Sequence, residues 1–187
     1  MKMILTAIRA SVVLMLICGL IYPLVTTGVA QAIFPRQADG SLIESGGQIV
    51  GSELLAQSVE SPKLFHPRGS NAKYDPTASA GSNKAVTSED YVKGIAEKID
   101  AVKQENPNLN DIPADLVTNS GSGFDPDLSP EGAKAQVPRI SRETGISEQQ
   151  LVQFIEAHTK GRQLGVFGEP RVNVTELNME LMKQVKL

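Results

Sequence analysis

The longest apolar stretch of the chain lies near its N-terminal end, where residues 10–34 include no charged side chain. Its apolar content peaks over residues 12–17 and continues at Leu20 and Ile21. A helix rises about 1.5 Å per residue, so about 20 residues cross roughly 30 Å of bilayer hydrocarbon. The pattern predicts one transmembrane helix over residues 10–34, distorted at Pro23, whose ring nitrogen has no hydrogen to donate.

A cleaved signal peptide is the alternative interpretation of this stretch. Lys2 and Arg9 resemble the charged leader of a signal, and Ala30-Gln31-Ala32 has the small-x-small form of a cleavage site. The apolar part of a signal usually has only about 7–15 residues, so the longer run here favours a permanent anchor. Cleavage after Ala32 would instead release a solitary, secreted binding domain.

The charges that flank the span predict its orientation. Lys2 and Arg9 precede it, whereas only Arg36 follows closely. Because positive charge tends to stay on the cytoplasmic side, we expect residues 1–9 in the cytoplasm and residues 35–187 outside.

Four segments after the span have the spacing or the caps of helices. The predicted helices run from Ser88 to Asn106, from Ser129 to a break or bend at Pro138, from Ser147 to Gly161, and from Thr175 to Val185. The first should pack one apolar face, formed by Val92, Ile95, Ala96, Ile99 and Val102. The third should bury Leu151, Val152, Phe154, Ile155 and His158.

Two short β-branched segments, residues 115–118 and 171–174, are predicted as strands. Turns rich in glycine, serine and asparagine separate the ordered segments. The predicted fold is therefore a single transmembrane helix followed by one α+β soluble domain with a small sheet, over residues 35–187.

Composition excludes several classes of protein. The net charge is −3 and no run of lysine or arginine occurs, so nucleic acid is not an expected partner. The single cysteine, Cys18, excludes a disulfide within the chain. No G-x-x-x-x-G-K-[ST] or G-x-S-x-G sequence is present, and His66 and His158 are the only histidines. We expect no catalytic residues and no metal site.

Three polar sets have both a functional and a structural interpretation. Residues 121–123 (Gly-Ser-Gly) suit a turn better than an anion cradle, since no lysine follows them. Asp125 and Asp127 form a candidate cation site, although aspartates beside a proline are common in turns. The remaining set consists of arginines with nearby glutamates, which favours surface ion pairs; these are Arg139, Arg142, Arg162 and Arg171. Separately, His66 stands next to Pro67 and Arg68 and is expected at an exposed loop position.

Eight short segments, in a fixed order, resemble the C subunit of the Kdp potassium-transporting ATPase over nearly the whole chain. They are Tyr22-Pro23-Leu24, Asp39-Gly40-Ser41-Leu42, Phe65-His66-Pro67-Arg68, Ala80-Gly81-Ser82-Asn83, Asp115-Leu116-Val117-Thr118, Gln136-Val137-Pro138-Arg139, Gly168-Glu169-Pro170-Arg171-Val172-Asn173-Val174 and Glu176-Leu177-Asn178.

The resemblance implies an accessory, non-catalytic subunit of an ATP-driven potassium import complex in the bacterial inner membrane. Its partners would be a P-type ATPase subunit, a potassium-channel-like subunit and membrane lipid. The family's proposed role as a catalytic chaperone, which raises the ATP affinity of the ATPase subunit, implies that Gln150 and Ser147 contact ATP. Alternatively, Ser147 and Gln150 only cap a helix, because S-x-x-Q is the sequence of a capping box.

Topology bears on that choice. An exported domain lies across the membrane from cytoplasmic ATP, so the chaperone role would be indirect or the orientation reversed. Three alternative functions are therefore carried forward. The first is a subunit that steadies the complex or shapes the outer potassium entrance, the second is an ATP-binding regulator, and the third is a secreted domain.

Overall fold

The computed structural model describes residues 2–107 and 109–184. The chain divides between Val50 and Gly51 into two compact units, which are described separately below.

The first unit begins with a long helical stretch made of three parts. Helix α1 (Lys2–Leu16) leads into a π-helical turn (Ile17–Ile21), and α2 (Tyr22–Ile33) follows directly. In the π turn the Tyr22 N–H donates to the Ile17 carbonyl, five residues back. The wider turn lies immediately before Pro23, whose ring would crowd the carbonyl of a regular preceding turn. The irregularity therefore lies where the proline predicts it.

The stretch Lys2–Ile33 is long and apolar enough to cross a membrane, with a mean hydropathy of 2.4 over its most apolar window. None of that window is buried against the rest of the chain. The helix begins at Lys2, well before the predicted start at residue 10.

A short helix and a hairpin complete the first unit and cross its boundary. Helix α3 (Pro35–Ala38) is followed by strands β1 (Leu42–Ser45) and β2 (Gln48–Ser52), which pair in a two-stranded sheet. Gly46 and Gly47 join the strands, both with positive φ (59° and 78°). Two consecutive left-handed residues give a tight hairpin turn the twist that its strands need.

The second unit combines helices with a three-stranded sheet. Its elements are α4 (Glu89–Glu105), α5 (Ala114–Val117), β3 (Asp127–Leu128), α6 (Pro130–Lys134), α7 (Val137–Thr144), α8 (Glu148–Ala157), β4 (Thr159–Lys160), β5 (Arg171–Asn173) and α9 (Val174–Gln184). Strand β5 lies between β3 and β4 and is antiparallel to both. Leu128 and Thr159 both pair with Val172. The predicted α+β fold with a small sheet is confirmed.

The hydrophobic core is formed by α6–α9, β3 and β5, together with one side chain from a segment outside any helix or strand. Its members are Phe65, Leu128, Ala133, Val137, Ile140, Leu151, Ile155, Val172, Val174, Leu177 and Leu181. Phe65 comes from the irregular stretch that precedes α4, and its side chain is fully buried. The core therefore depends on that stretch being held in place.

Helix α8 confirms only part of its predicted stripe. Leu151 and Ile155 are buried, and Val152 and Phe154 pack partly against the core. The helix ends at Ala157, not at Gly161, because Thr159 and Lys160 pair with β5 as β4. His158 caps the helix and remains half-buried.

The break expected at Pro138 in the second predicted helix is confirmed, since two separate helices form there. Ser129 caps α6 by accepting from the Gly132 N–H, and Pro130 occupies the first turn. A new helix, α7, starts at Val137 with Pro138 in its first turn. Helix α9 runs to Gln184, and the predicted end at Val185 lies outside the described residues.

The predicted strand over residues 115–118 is wrong, since residues 114–117 form helix α5. Asp115 explains the difference: its carboxylate accepts from the Ser129 N–H at 2.7 Å and lies against the start of α6. A Cβ on Gly132 would come within 2.7 Å of that carboxylate, so glycine permits the approach. A contact that is distant in sequence therefore decides the local conformation, because the strand propensity of a short β-branched segment depends strongly on its surroundings.

Helix α4 forms where its periodicity predicts, and Ser88 caps it by accepting from the Tyr91 N–H. The apolar face of α4 packs less closely than predicted, because no side chain of the helix is fully buried and Val92 is 57% exposed. Residues 70–88, which precede α4, contain turns but no helix or strand. Periodicity fixes which face of a helix is apolar, whereas tertiary structure fixes whether anything covers it.

Candidate functional site

Ser147 and Gln150, the predicted nucleotide contacts, lie together on the surface at the start of α8 and form a capping box. The Ser147 Oγ accepts from the Gln150 N–H at 3.3 Å, and the Ser147 N–H donates to Gln150 Oε1 at 3.3 Å. The Ser147 hydroxyl also donates to Gln150 Oε1, at 2.7 Å. Both side chains thus satisfy backbone groups that a helix start leaves open.

The Gly-Ser-Gly segment forms a turn in which the Gly123 amide and the two amides that follow it already have acceptors. The Gly123 and Asp125 N–H groups donate to the buried Ser120 Oγ, and the Phe124 N–H donates to Ser122 Oγ. Gly123 has a φ of 87°, and a Cβ there would come within 2.7 Å of Ala72. An anion would have to displace these bonds, so the geometry fits a turn.

The carboxylates of Asp125 and Asp127 are each paired with an arginine. Asp125 Oδ2 lies 3.2 Å from Arg68 Nη1, and Asp127 Oδ2 lies 2.9 Å from Arg171 Nε. Burial raises the pKa of Asp127, and the Arg171 guanidinium opposes that shift. A potassium ion would have to compete with two cations already in place. Across residues 2–107 and 109–184, no group of three His, Cys, Asp or Glu side chains is arranged to hold a metal ion.

The expected surface ion pair of Arg139 is wrong, because Arg139 is only 2% exposed. Its guanidinium donates to the carbonyls of Pro62 and Leu64, the latter at 3.0 Å, and to Gln136 Oε1 at 2.8 Å. Glu105 Oε2 lies 3.5 Å from its Nε. Burial lowers the pKa of Arg139, and the Glu105 carboxylate opposes that shift. The other three arginines keep partly exposed carboxylate partners.

Two further polar side chains fasten the same irregular stretch. Gln136 accepts from the His66 N–H at 2.8 Å and donates to the His66 carbonyl at 3.0 Å. Asn178 does the same for Phe65, with both distances 2.8 Å. Each carboxamide therefore replaces the pairing that a neighbouring strand would provide. We call Gln136, Arg139 and Asn178, with residues 61–68, the polar clamp.

Sequence reasoning gave no role to Gln136 or Asn178, although one signal was available. Asn178 follows Leu177 on α9 and lies four and three residues from Val174 and Leu181, both in the core. A polar side chain on a buried helix face is expected to have hydrogen-bond partners. The partners themselves are far away in sequence and could not be identified from that spacing.

The expected exposed position of His66 is also wrong. The ring is half-buried, its Nε2 lies 3.1 Å from the Ser61 carbonyl, and its Nδ1 lies 4.0 Å from Glu105. Desolvation lowers the pKa of His66 and Arg139 lowers it further, while the Ser61 carbonyl and Glu105 act in the opposite direction. The folded chain therefore favours the neutral imidazole.

A cavity of about 210 Å³ lies beside the polar clamp, lined by His66, Lys98, Glu105, Asn106 and Gln136 among others. Asn106 is buried, and its Oδ1 has no hydrogen-bond partner among the residues that the structure describes. An open acceptor next to a cavity that Lys98, Glu105 and Gln136 also line suits an ordered water. The polar clamp and its cavity are therefore explained by a structural role, which is to hold residues 61–68 in place.

Comparison with known proteins assigns the chain to a family. The family described as "K+-transporting ATPase, c chain", or KdpC, matches residues 4–183. The chain belongs to the KdpC family. The matched range covers the polar clamp, the capping box and all of the N-terminal helix except Lys2 and Met3.

Individual relatives agree over nearly their full length. The chain is 45% identical to the "Potassium-transporting ATPase KdpC subunit" of Bacillus cereus strain Q1, over 96% of this chain and 94% of the relative. Relatives of the same name from Bacillus mycoides and Bacillus cytotoxicus are 46% and 44% identical, with the same coverage of both chains. The resemblance seen in the short segments is confirmed, and membership of this family together with the N-terminal helix indicates a membrane-anchored protein.

Removing the Arg139 side chain should destabilise the fold. In Arg139→Ala, the carbonyls of Pro62 and Leu64 and the Gln136 oxygen lose the donors that Arg139 supplies, and we expect a loss of about 3 kcal/mol. Arg139→Lys keeps the charge but loses the planar fork, so its free energy of unfolding should lie between those of the wild type and Arg139→Ala. Arg142→Ala is the matched control, since Arg142 is exposed and should change stability by less than about 1 kcal/mol. Urea denaturation of the detergent-solubilised chain, followed by circular dichroism, measures all three. Equal losses for Arg139→Ala and Arg142→Ala would contradict the clamp.

Stability should fall as His66 is forced to take up a proton. The pKa of His66 is lowered from 6.5 in the folded chain, so the unfolded chain binds the proton more readily than the folded chain does. As the pH falls below about 6.5, protonation of His66 therefore favours unfolding. The free energy of unfolding should therefore decrease on acidification from about pH 8 to about pH 5. His66→Asn should flatten this part of the profile. Melting temperatures measured across that range test this, and identical slopes in both chains would contradict it.

Proposed function

We propose that this chain is an accessory, non-catalytic subunit of a potassium-transporting ATPase complex. Its N-terminal helix anchors it in the bacterial inner membrane, and the unit from Gly51 onward lies outside. There it steadies the transport subunits or shapes the outer entrance for potassium. The observation that carries this proposal is the match to KdpC subunits over nearly the whole length of both chains.

The use of its polar groups supports an accessory role. Arg139, Gln136 and Asn178 bind the chain's own backbone, and the exposed Ser147 and Gln150 cap a helix. Asp125 and Asp127 pair with arginines. Catalysis needs a nucleophile, base or metal aimed at a substrate position, and these side chains are instead engaged in architecture.

The partners that we propose are the P-type ATPase subunit, the potassium-channel-like subunit and the lipid around the anchor helix. A single helix in contact with transport subunits would tether the folded unit close to them, which raises its effective concentration at any interface. A small subunit can then act through modest contacts.

The experiment that tests this proposal is purification of the full chain, tagged at its C-terminus, from native membranes. The ATPase and channel-like subunits should co-purify, and a membrane-impermeant label should reach the folded unit only from the outside. The chain alone should hydrolyse no ATP. Purification without either transport subunit would contradict the proposal, and a mature N-terminus at Ile33 would favour a secreted domain.

Raising the ATP affinity of the catalytic subunit remains a proposal for the same chain, by an indirect route. Gln150 Oε1 already accepts from the Ser147 N–H and hydroxyl, so a direct phosphate contact would fall to the amide nitrogen. The proposed orientation also places the folded unit across the membrane from cytoplasmic ATP. Both considerations favour capping as the role of Gln150.

Substitutions at Gln150 separate capping from nucleotide contact. Gln150→Glu keeps an acceptor for the Ser147 N–H and suits a helix N-terminus, so the melting temperature should hold. Gln150→Ala should cost about 1 kcal/mol or less. Neither variant should change nucleotide affinity, measured on the chain and on the complex. Loss of nucleotide binding in Gln150→Glu at an unchanged melting temperature would establish a direct contact with the phosphates instead.

A further inference from the structure

The loop between β4 and β5 exposes three large apolar side chains at its tip. Leu164 is 90% exposed, Val166 69% and Phe167 64%. In the described part of the second unit, the other large exposed hydrophobic residues occur singly, as at Leu54, Val86, Val92 and Met182. Single exposed apolar residues are ordinary, whereas a cluster marks an interaction site. We call Leu164, Val166 and Phe167 the apolar knob.

The backbone of the knob is ordered by its own hydrogen bonds. The Gln163 N–H donates to the Phe167 carbonyl at 2.8 Å, and the Phe167 N–H returns a bond to Gln163 at 2.9 Å. The Gly165 and Val166 N–H groups donate to the carbonyls of Arg162 and Gln163. The loop rises from β5, where Val172 is fully buried, so its base is fixed in the core.

Leu164 adopts a backbone conformation that a branched, apolar residue rarely takes. Its φ is 53°, in the left-handed region, and the next residue, Gly165, has a φ of 76°. For a residue other than glycine, that region costs on the order of 1 kcal/mol or more, and such strain is concentrated at functional positions. The turn therefore holds a strained leucine at the position where it is almost completely exposed.

The charges around the knob favour a protein over a lipid surface as its partner. Lys160 pairs with Glu176 at 2.8 Å, Arg162 with Glu169 at 2.6 Å, and Arg171 with Asp127 at 2.9 Å. Attraction to anionic headgroups needs basic residues in excess, and here each basic side chain has an acidic partner. A fluid bilayer also gains little from a fixed shape, whereas a pocket requires one. Apolar anchors within a rim of paired charges are typical of protein interfaces.

We propose that the apolar knob inserts into an apolar socket on the extra-membrane face of a transport subunit of the same complex. This inference rests on the proposed function, since it requires that the chain is assembled with those subunits. Leu164 and Phe167 are the anchors, and the Arg162–Glu169 ion pair lies at the rim. The fixed backbone lowers the entropy cost of docking, because the loop is ordered before it binds.

Charged substitutions at the tip test the socket in the assembled complex. Leu164→Asp and Phe167→Asp should each reduce the transport subunits recovered with the tagged full chain, in mild detergent, by about tenfold or more. Because these side chains are exposed, the melting temperature of the chain should not change. Val86→Asp is the matched control, since Val86 is 71% exposed on another loop and should leave recovery unchanged. Wild-type recovery in both knob variants would overturn the inference.

A photo-reactive phenylalanine analogue in place of Phe167 identifies the occupant. In native membranes it should cross-link to a transport subunit, and the same analogue at Val86 should not. Cross-links to lipid alone would overturn the socket in favour of membrane insertion. If the wild-type chain recovers no transport subunit, the proposed function itself fails; if the wild type assembles and the knob neither cross-links nor affects recovery, only the socket fails.

Discussion

The buried guanidinium of Arg139 is the interaction on which the second unit depends. Residues 61–68 contain no helix or strand, yet they pass beside the core and insert Phe65 into it. Backbone groups in such a stretch need partners when water is excluded, and α7 and α9 provide them through side chains. Because arginine offers several donors in a planar fork, one residue can bind two carbonyls and a carboxamide at once.

This arrangement makes the core and its polar bonds mutually dependent. Phe65 contributes apolar area only while Arg139, Gln136 and Asn178 hold the segment against the helices. In turn, the guanidinium is tolerated at 2% exposure because its Nη1 and Nη2 groups find acceptors and the Glu105 carboxylate lies 3.5 Å from its Nε. Breaking such a set is costly, since the groups that remain lose hydrogen bonds at a place from which water is partly excluded. The clamp also places His66 where desolvation and Arg139 both disfavour its protonation.

The distribution of engaged and unengaged groups agrees with a subunit that acts by contact. The described ion pairs around the loop between β4 and β5 neutralise its charges. The capping box uses Ser147 and Gln150, the two residues for which the family resemblance implies contact with ATP. The second unit also exposes large apolar side chains, clustered at the knob and present at Val92 on α4. A membrane-anchored protein in a family of transport-complex subunits can use such surfaces once its tether brings the partner close.

The sequence alone determined the features that depend on local chemistry. The apolar run, the caps at Ser88, Ser129 and Ser147, and the proline at the start of α7 act within a few residues, so their elements formed as predicted. The family, too, could be identified from short segments. Only tertiary structure decided the fate of residues 115–118, where the Asp115 carboxylate meets the start of α6. It likewise decided the burial of Arg139 and the exposure of Leu164, because the partners of a side chain, or their absence, lie in parts of the chain that no local pattern connects.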